Sequence, residues 1–448
     1  MILLKNCRYI ATFDDENREL EGYDILIDGK SIVKIGENIP ERGEVIDCSR
    51  HLAIPGLVNT HHHFFQILTR NLKGAQNAGL FDWLIFHYPV WMKIDEEAIY
   101  YATKLAIVEL LKTGATTTSD HHYLYPVGLT GDVMGIQVEV ARELGIRFAP
   151  TRGSMTMGVK SGGLPPEELV EPDDTVLRDM QRVIEEFHDP SDFSMTRIIL
   201  APCSPFNVTL ELMRETESLA RSYGVFMHTH LAETLDEERY CIDRYGKRPL
   251  SLMEDLNWLG PDVYFAHGIW FNDEELKVLA DTGTGVSHCP SSNMRLGSGI
   301  ARIREMLDLG VRVGLGVDGS ASNDSSDMLG EVRNAMLLQR VRYGPAGMTA
   351  REALRLATRG GAELLGFRKV GQIREGFAAD ILLIDLTRPQ HAGSLSDPVA
   401  SVVFTGFSHE VDYSIINGKI VVEKGRVKGV DEERLTELVN DISKNLVD

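Results

Sequence analysis

The chain has 448 residues, of which 43% are hydrophobic and 7% aromatic, a balance typical of a globular protein with a substantial core. Its 46 Lys and Arg residues against 66 Asp and Glu residues give a net charge of −20, so the surface repels nucleic-acid phosphates and anionic lipid. Because no apolar run approaches the roughly 18 to 20 residues of a membrane span, we expect a cytoplasmic protein with neither nucleic-acid nor membrane partners.

Two short hairpins are predicted near the two ends of the chain. Residues 23–27 and 31–35 show a two-residue period around Asp28-Gly29-Lys30, and the same pattern surrounds Asn417-Gly418-Lys419. Each hairpin alone is too small to bury a core. This favours one sheet built from both termini over two separate small domains.

Between the hairpins, short apolar runs alternate with helical, charge-rich segments, a pattern typical of a parallel sheet covered by helices. The clearest helical segments are 96–112, 173–187 and 209–223. Eight candidate strands end near residues 61–63, 120–122, 151–152, 202–204, 228–230, 266–267, 287–289 and 317–318. Nearly all of these ends carry side chains capable of chemistry.

This pattern predicts an α/β fold, a (β/α)8 TIM barrel with its site at the C-terminal mouth, rather than a doubly wound sheet. We expect the barrel over residues 56–375. A small composite β-sandwich would be formed by the N- and C-terminal segments, residues 1–55 and 376–430. Residues 431–448 are predicted to form a C-terminal helix.

Histidines at two strand ends indicate a metal site. His61 and His63 lie two residues apart on the first strand, so both side chains can point into the barrel mouth. His230 ends the fifth strand and Asp318 the eighth. His228 has the same parity as His230, so the sequence leaves its role open. Imidazole together with carboxylate suits Zn²⁺ or Fe²⁺ better than Mg²⁺.

Other catalytic signatures are missing. The fourth strand, residues 198–203, has no Lys to bridge two metal ions, which favours a single metal. The sequence lacks the paired motifs of small zinc deaminases, a Gly-x-Ser-x-Gly elbow, and phosphate or dinucleotide loops. Its five cysteines are scattered without a Cys-x-x-Cys pair and are expected to be buried thiols. Hydrolysis by metal-activated water is the chemistry that remains.

The strand ends also carry a recognisable set of motifs: Pro-Gly-Leu-Val-Asn-Thr-His-His-His over 55–63, His-Leu-Ala-Glu over 230–233, His267, and Asp318-Gly319. Together these motifs resemble the amidohydrolase superfamily, in its cyclic-amidine aminohydrolase branch, over almost the whole chain. Further segments resemble the bacterial 8-oxoguanine deaminase group of that branch, namely residues 75–77, 80–84, 116–121, 152–155, 162–166, 201–205 and 318–324.

The resemblance implies one Zn²⁺, with Fe²⁺ as the alternative, on four ligands, His61, His63, His230 and Asp318. It also implies three proton-handling residues. Asp318 would take the proton of a water whose pKa zinc lowers to about 7, His267 would orient the resulting hydroxide, and Glu233 would protonate a ring nitrogen. The implied reaction is hydrolytic deamination of an aminated purine-type ring, 8-oxoguanine, to the oxo product with release of ammonia.

Three residues are expected to contact the substrate, a small heterocycle. Gln66 and Arg152 would hydrogen-bond the carbonyl and ring-nitrogen edges, and Trp83 would cover the planar face. The competing structural roles are packing for Trp83 and surface or strand-capping contacts for Gln66 and Arg152. The remaining strand-end histidines, His121, His122 and His288, are given no role beyond hydrogen bonding around the ligands. We also expect a homo-oligomer.

Alternative functions remain open at this point. Guanine, isoxanthopterin or an amino-triazine would keep the mechanism and change the ring. A cyclic-amide ring hydrolase would open the ring without releasing ammonia. A non-enzymatic scaffold on the same barrel is disfavoured, because every implied ligand and proton-transfer residue is present in the chain.

Overall fold

The computed structural model describes residues 1–405 and 408–447. The strands that precede the barrel are β1 (Ile2–Cys7), β2 (Tyr9–Ala11), β3 (Glu19–Leu20), β4 (Tyr23–Asp28), β5 (Ser31–Gly36), β6 (Glu44–Asp47) and β7 (His51–Pro55). The barrel strands are β8 (Leu57–Asn59), β9 (Ala115–His122), β10 (Arg147–Ser154), β11 (Ile199–Pro202), β12 (Phe226–Leu231), β13 (Val263–His267), β14 (Gly285–His288) and β15 (Val313–Leu315). The strands that follow are β16 (Ile381–Asp385), β17 (Tyr413–Ile416), β18 (Lys419–Glu423) and β19 (Arg426–Val427).

Helices cover the barrel and close the chain. They are α1 (Leu80–Trp91), α2 (Glu96–Lys112), α3 (Val133–Leu144), α4 (Asp173–Phe187), α5 (Leu210–Tyr223), α6 (Leu235–Tyr245), α7 (Pro249–Asp255), α8 (Asp273–Thr282), α9 (Pro290–Arg295), α10 (Ile303–Asp308), α11 (Met328–Tyr343), α12 (Ala350–Arg355), α13 (Gly361–Leu364), α14 (Pro398–Phe404) and α15 (Glu432–Val447). Short 3-10 helices span Phe64–Thr69, Lys73–Ala75, Val159–Ser161, Glu167–Leu169 and Pro389–His391, and a π turn spans Leu356–Gly360.

The predicted barrel is confirmed. Strands β8 to β15 are parallel and close in the order β10-β11-β12-β13-β14-β15-β8-β9. Strands β9 and β10 are buried along their whole length, because helices cover the outer face and side chains fill the lumen. The predicted helical segments appear as α2, α4 and α5, and the last begins at the N-cap Thr209, whose side chain accepts from Leu212 N–H.

The terminal segments form two sheets that pack as a sandwich, as expected. The larger sheet has the order β19-β18-β17-β16-β7-β2-β3 and the smaller β5-β4-β1-β6. Both predicted hairpins are present, β4 with β5 and β17 with β18. Strand β16 pairs antiparallel with β7, which joins the two ends of the chain in one sheet. The boundaries expected at residues 55, 375 and 430 stay predictions.

The sandwich sets the position of the first metal-site strand. Strand β7 ends at Pro55 and β8 begins at Leu57, so only Gly56 separates the two sheets. An added Cβ on Gly56 would lie 1.9 Å from the Thr116 Oγ1 atom of β9. The close approach of these strands therefore requires glycine at this junction.

Two further expectations can be compared with the structure. All five cysteines are buried free thiols, as predicted. Within residues 1–405 and 408–447, no helix combines the length and the apolar character needed to cross a bilayer.

A buried ion pair ties the barrel to the sandwich. Arg147 begins β10 and is 0% exposed, and its guanidinium donates to the Asp380 carboxylate at 3.0–3.1 Å. Asp380 directly precedes β16, is 1% exposed, and also accepts from Asn417 N–H at 2.7 Å. With both charges buried, loss of one partner leaves an uncompensated charge in a medium of low polarity.

We predict that Asp380→Ala lowers the free energy of unfolding by about 3–5 kcal/mol, the usual cost of breaking a buried pair. The measurement is urea unfolding followed by circular dichroism. Arg434→Ala is the control, because its pair with Glu437 is 61% and 66% exposed and should contribute less than about 1 kcal/mol. Equal losses in the two variants would contradict a structural role for the buried pair.

Candidate metal centre and active site

Five side chains meet at the carboxyl end of the barrel. They are His61 and His63 after β8, His230 on β12, His267 at the end of β13 and Asp318 after β15. All five are buried, none more than 8% exposed. The His61 ring centroid lies 4.7 Å from that of His63 and 4.8 Å from that of His230. The structure therefore brings together all four expected metal ligands.

Three residues of this strand-end region have left-handed backbone conformations. Ala232 has φ 54°, His267 φ 72° and Asp318 φ 64°. Such conformations are unfavourable for residues other than glycine and persist only where the surroundings enforce them. Two of the three residues, His267 and Asp318, carry side chains of the centre itself.

Backbone carbonyl groups fix the tautomers of the three ligand imidazoles. His63 Nδ1 donates to His121 O at 2.8 Å, and His230 Nδ1 donates to Cys203 O at 2.6 Å. The third imidazole is set by a relay: His228 Nδ1 donates to Tyr264 O at 3.0 Å, so its Nε2 accepts from His61 Nδ1 at 2.8 Å. Each ligand imidazole therefore turns a bare Nε2 lone pair toward the centre.

These lone pairs face one another and a carboxylate at close range. His63 Nε2 lies 3.1 Å from His230 Nε2, and Asp318 Oδ1 lies 3.4 Å from His61 Nε2 and 3.2 Å from His63 Nε2. Ligands about 2.0–2.1 Å from a tetrahedral metal are separated from each other by about 3.3–3.4 Å. The His61 Nε2 atom is buried without a hydrogen-bond partner among the described residues. The donor set thus fits a divalent metal ion.

The protonation of the ligands agrees with this reading. Burial lowers the pKa of His61 and of His230 well below the usual histidine value, which keeps both imidazoles neutral. Burial alone would raise the pKa of Asp318, but the surrounding His61, His63 and His267 side chains hold this pKa well below the usual range. Neutral imidazole and ionised carboxylate are the forms that bind metals.

Glu233 lies beside the ligands, in surroundings that favour the protonated form of its carboxyl group. Its Oε2 atom is 3.4 Å from His267 Nε2. Burial, and next the neighbouring charge of Asp318, raise the pKa of Glu233 well above its usual range. A carboxyl group that keeps its proton at neutral pH can act as a general acid.

Two residues that the sequence analysis did not single out hold these proton-handling groups in place. The Glu237 carboxylate accepts from Ala232 N–H at 2.9 Å and Glu233 N–H at 2.8 Å. Asn293 Oδ1 accepts from His267 Nδ1 at 2.9 Å, which leaves His267 Nε2 unprotonated toward Glu233 and Asp318. Thr234 and Glu237 have the spacing of a capping box, a sequence signal that could have identified Glu237.

The pocket in front of the centre is lined mainly by apolar side chains. Leu80, Trp83 and Leu84 of α1 line it together with Phe206 and Leu296. Polar groups come from Gln66, Tyr123, Ser204, Asn207 and Ser322. Of the three residues expected to contact substrate, Gln66 and Trp83 therefore line this pocket. Gln66 Nε2 donates to the Tyr123 hydroxyl at 3.3 Å.

Arg152, the third of these residues, lies outside the pocket. Its guanidinium donates to Glu171 at 2.7 Å and to Asp179 at 2.6 Å, and it stacks 3.7 Å from the centroid of the Tyr125 ring. The side chain leaves β10 on the helix-facing side, where these two carboxylates compensate its charge. This geometry does not support direct contact between Arg152 and a bound ring.

The other strand-end histidines take supporting positions. The sequence left open whether His228 is a metal ligand like His230. In the structure His228 hydrogen-bonds His61 and does not reach the centre itself. His121 Nε2 donates to Ala201 O at 2.7 Å and its ring stacks 4.7 Å from that of His230. His122 Nε2 donates to Leu124 O. His288 is buried with neither ring nitrogen hydrogen-bonded among the described residues.

Comparison with known proteins agrees with this architecture. The sequence model of the Amidohydrolase family matches residues 52–421. The chain is 44% identical over 425 residues to an 8-oxoguanine deaminase of Pseudomonas aeruginosa PAO1, covering 94% of both chains. This chain belongs to the amidohydrolase family.

Two other members show the range within the amidohydrolase family. A hydroxydechloroatrazine ethylaminohydrolase of Pseudomonas sp. strain ADP is 38% identical over 98% of this chain and 94% of the relative. The crystal structure of an atrazine chlorohydrolase from Arthrobacter aurescens TC1 complexed with zinc superposes with a TM-score of 0.95 at 36% identity, covering 99% of this chain and 100% of that one.

We predict that His228→Leu weakens binding of a divalent metal by about 10- to 100-fold, because it removes the acceptor that fixes the His61 tautomer. Competition between the purified protein and a chromophoric chelator for Zn²⁺ measures this affinity. The control is His188→Leu, a histidine that follows α4 and contacts Ile198 N–H. An affinity equal to wild type in His228→Leu would contradict the relay.

Proposed function

We propose that the protein is a metal-dependent hydrolytic deaminase that converts 8-oxoguanine to the oxo product and releases ammonia. The observation that carries this proposal is the arrangement of three bare imidazole nitrogens and Asp318 beside a protonated Glu233. The 44% identity to an 8-oxoguanine deaminase supports the choice of ring. The small pocket supports a single heterocycle as the partner.

We propose Zn²⁺ as the metal, held by His61, His63, His230 and Asp318. Three nitrogen donors and one carboxylate are a ligand set that suits Zn²⁺, and Fe²⁺ fits the same donors. The zinc in the related chlorohydrolase structure supports the first choice. When bound, such a metal polarises water and lowers the pKa of that water to about 7.

The chain's own residues would then move two protons. Asp318 accepts the proton of the attacking water while His267 Nε2 orients the water by hydrogen bonding. Glu233 gives its proton to the ring nitrogen next to the attacked carbon, so that no charge builds up on the ring. The water proton held by Asp318 passes to the amine, which leaves as ammonia. As the C–NH₂ group becomes C=O, the remaining proton of the added water returns to the Glu233 carboxylate, so that both carboxyl groups regain their starting states.

Two alternatives differ in what they release. An amino-triazine substrate keeps the same chemistry, and similarity to an ethylaminohydrolase of a triazine supports it as the second candidate. That reaction would release the amine carried by the triazine. A cyclic-amide ring hydrolase would release no amine at all. A cytoplasmic location and a homo-oligomer stay proposals from the sequence.

We predict that Glu233→Gln lowers kcat by at least about 100-fold, the contribution typical of a general acid. Glutamine keeps the shape of the side chain and cannot donate the proton. The measurement is ammonia release under saturating substrate, with zinc content determined in parallel. Turnover near wild type would remove Glu233 from the mechanism, whereas a loss of zinc would show that the variant disturbs the ligands instead.

A panel of rings tests the substrate. Zinc-loaded protein is offered 8-oxoguanine, guanine, isoxanthopterin and a hydroxylated amino-triazine, and we expect the highest kcat/KM for ammonia release with 8-oxoguanine. Protein treated with a chelator serves as the control and should be inactive. A higher kcat/KM for another ring would keep the chemistry and change the substrate. No ammonia release from any of the four rings would contradict the proposal.

A further inference from the structure

Five buried polar atoms in the pocket wall have no hydrogen-bond partner among the described residues. They are Gln66 Oε1, Trp83 Nε1, Ser204 Oγ, Asn207 Oδ1 and Glu233 Oε1. Native proteins rarely leave buried polar atoms unpaired, since each loses its bonds to water without replacement. Such a group of atoms in one pocket indicates the hydrogen bonds that a ligand makes there.

Three of the five atoms can act either only as a hydrogen-bond donor or only as an acceptor. The Glu233 carboxyl is already assigned to the ring nitrogen, and the Ser204 hydroxyl can rotate to donate or accept. The remaining atoms are two acceptors, Gln66 Oε1 and Asn207 Oδ1, and one donor, the indole N–H of Trp83. The residues that carry these atoms are only 1–2% exposed.

The orientation of the Asn207 amide is set by its surroundings. Its backbone is fixed, because the Asn207 carbonyl accepts from Thr156 N–H and Met157 N–H at 2.9 and 3.0 Å. Its Nδ2 atom donates to Cys203 Sγ at 3.5 Å. The amide nitrogen is thus engaged by the Cys203 sulfur, and the oxygen has no partner among the described residues.

We propose that Asn207 is a specificity-determining residue, which accepts a ring N–H of the substrate and so selects oxidised purines over unoxidised ones. This inference rests on the proposed function and deepens it. The cyclic urea edge of 8-oxoguanine presents two N–H groups and one C=O group. Two acceptors and one donor in the pocket match that edge in number and kind.

Guanine does not match the same set of atoms. In either common tautomer its five-membered ring presents one N–H group and one bare nitrogen, and it has no carbonyl there. One of the two acceptors therefore faces a bare ring nitrogen instead of an N–H group and stays unpaired when guanine binds. A site built to hydrogen-bond a group discriminates strongly against the analogue that lacks it.

The test compares two substrates in two variants. Asn207→Leu keeps the approximate volume and removes the acceptor, and Asn207→Asp keeps an acceptor oxygen. Values of kcat/KM for 8-oxoguanine and guanine are measured with zinc-loaded wild type and both variants. Zinc content and the unfolding midpoint of each variant verify the fold and the metal centre.

We predict that Asn207→Leu lowers kcat/KM for 8-oxoguanine by about tenfold or more, the effect of one lost hydrogen bond. The value for guanine should change by less than about twofold, and Asn207→Asp should keep most of the preference. An equal loss for both rings would assign Asn207 a purely structural role and overturn the proposal. No change for either ring would overturn it as well.

Binding separates this proposal from the proposed function. Urate and xanthine are the deaminated forms of 8-oxoguanine and guanine, and they retain the same contrast in the five-membered ring. Calorimetric affinities for both compounds need no turnover. If neither purine releases ammonia, the proposed function fails, yet a preference for urate that Asn207→Leu removes would still support the role of Asn207. A wild type that binds urate no better than xanthine would overturn it.

Discussion

The structure depends on one electrostatic constraint, the convergence of bare imidazole lone pairs and a carboxylate within 3.1–3.4 Å of one another. Such groups repel in the absence of a cation. Carbonyl groups of His121, Cys203 and Tyr264 prevent relaxation, because each fixes a histidine proton on the side away from the centre. A buried metal site is therefore prepared by the backbone of the barrel itself.

The same backbone places the proton-handling groups around this centre. His267 and Asp318 both take left-handed conformations at their strand ends, and Glu237 holds the turn that carries Glu233. The burial that lowers the pKa of His61 and of His230 also raises the pKa of Glu233. On the proposed function, one buried site would supply both an ionised carboxylate and a general acid, the pair that addition of water and loss of ammonia need.

Strand order and strand parity explain how much of this could be read from the sequence. Parallel strands must end at one mouth, so the convergence of His61, His63, His230 and Asp318 follows from the barrel. The ion pairs of Arg152 with Glu171 and Asp179, which keep Arg152 out of the pocket, could not be predicted from strand order. The two carboxylates come from a loop and from α4. Asn207 lies in a turn and Asn293 in the short helix α9, and no periodicity of the sequence reports the position of either side chain.

The central claim is that one metal ion at this centre drives the release of ammonia. The most direct test is to remove metal from the protein, restore Zn²⁺ stepwise and follow ammonia release from 8-oxoguanine against zinc bound per chain. The account predicts activity that is absent without metal, rises linearly and saturates at one zinc per chain. Full activity in the metal-free protein, or saturation only at two, would contradict it.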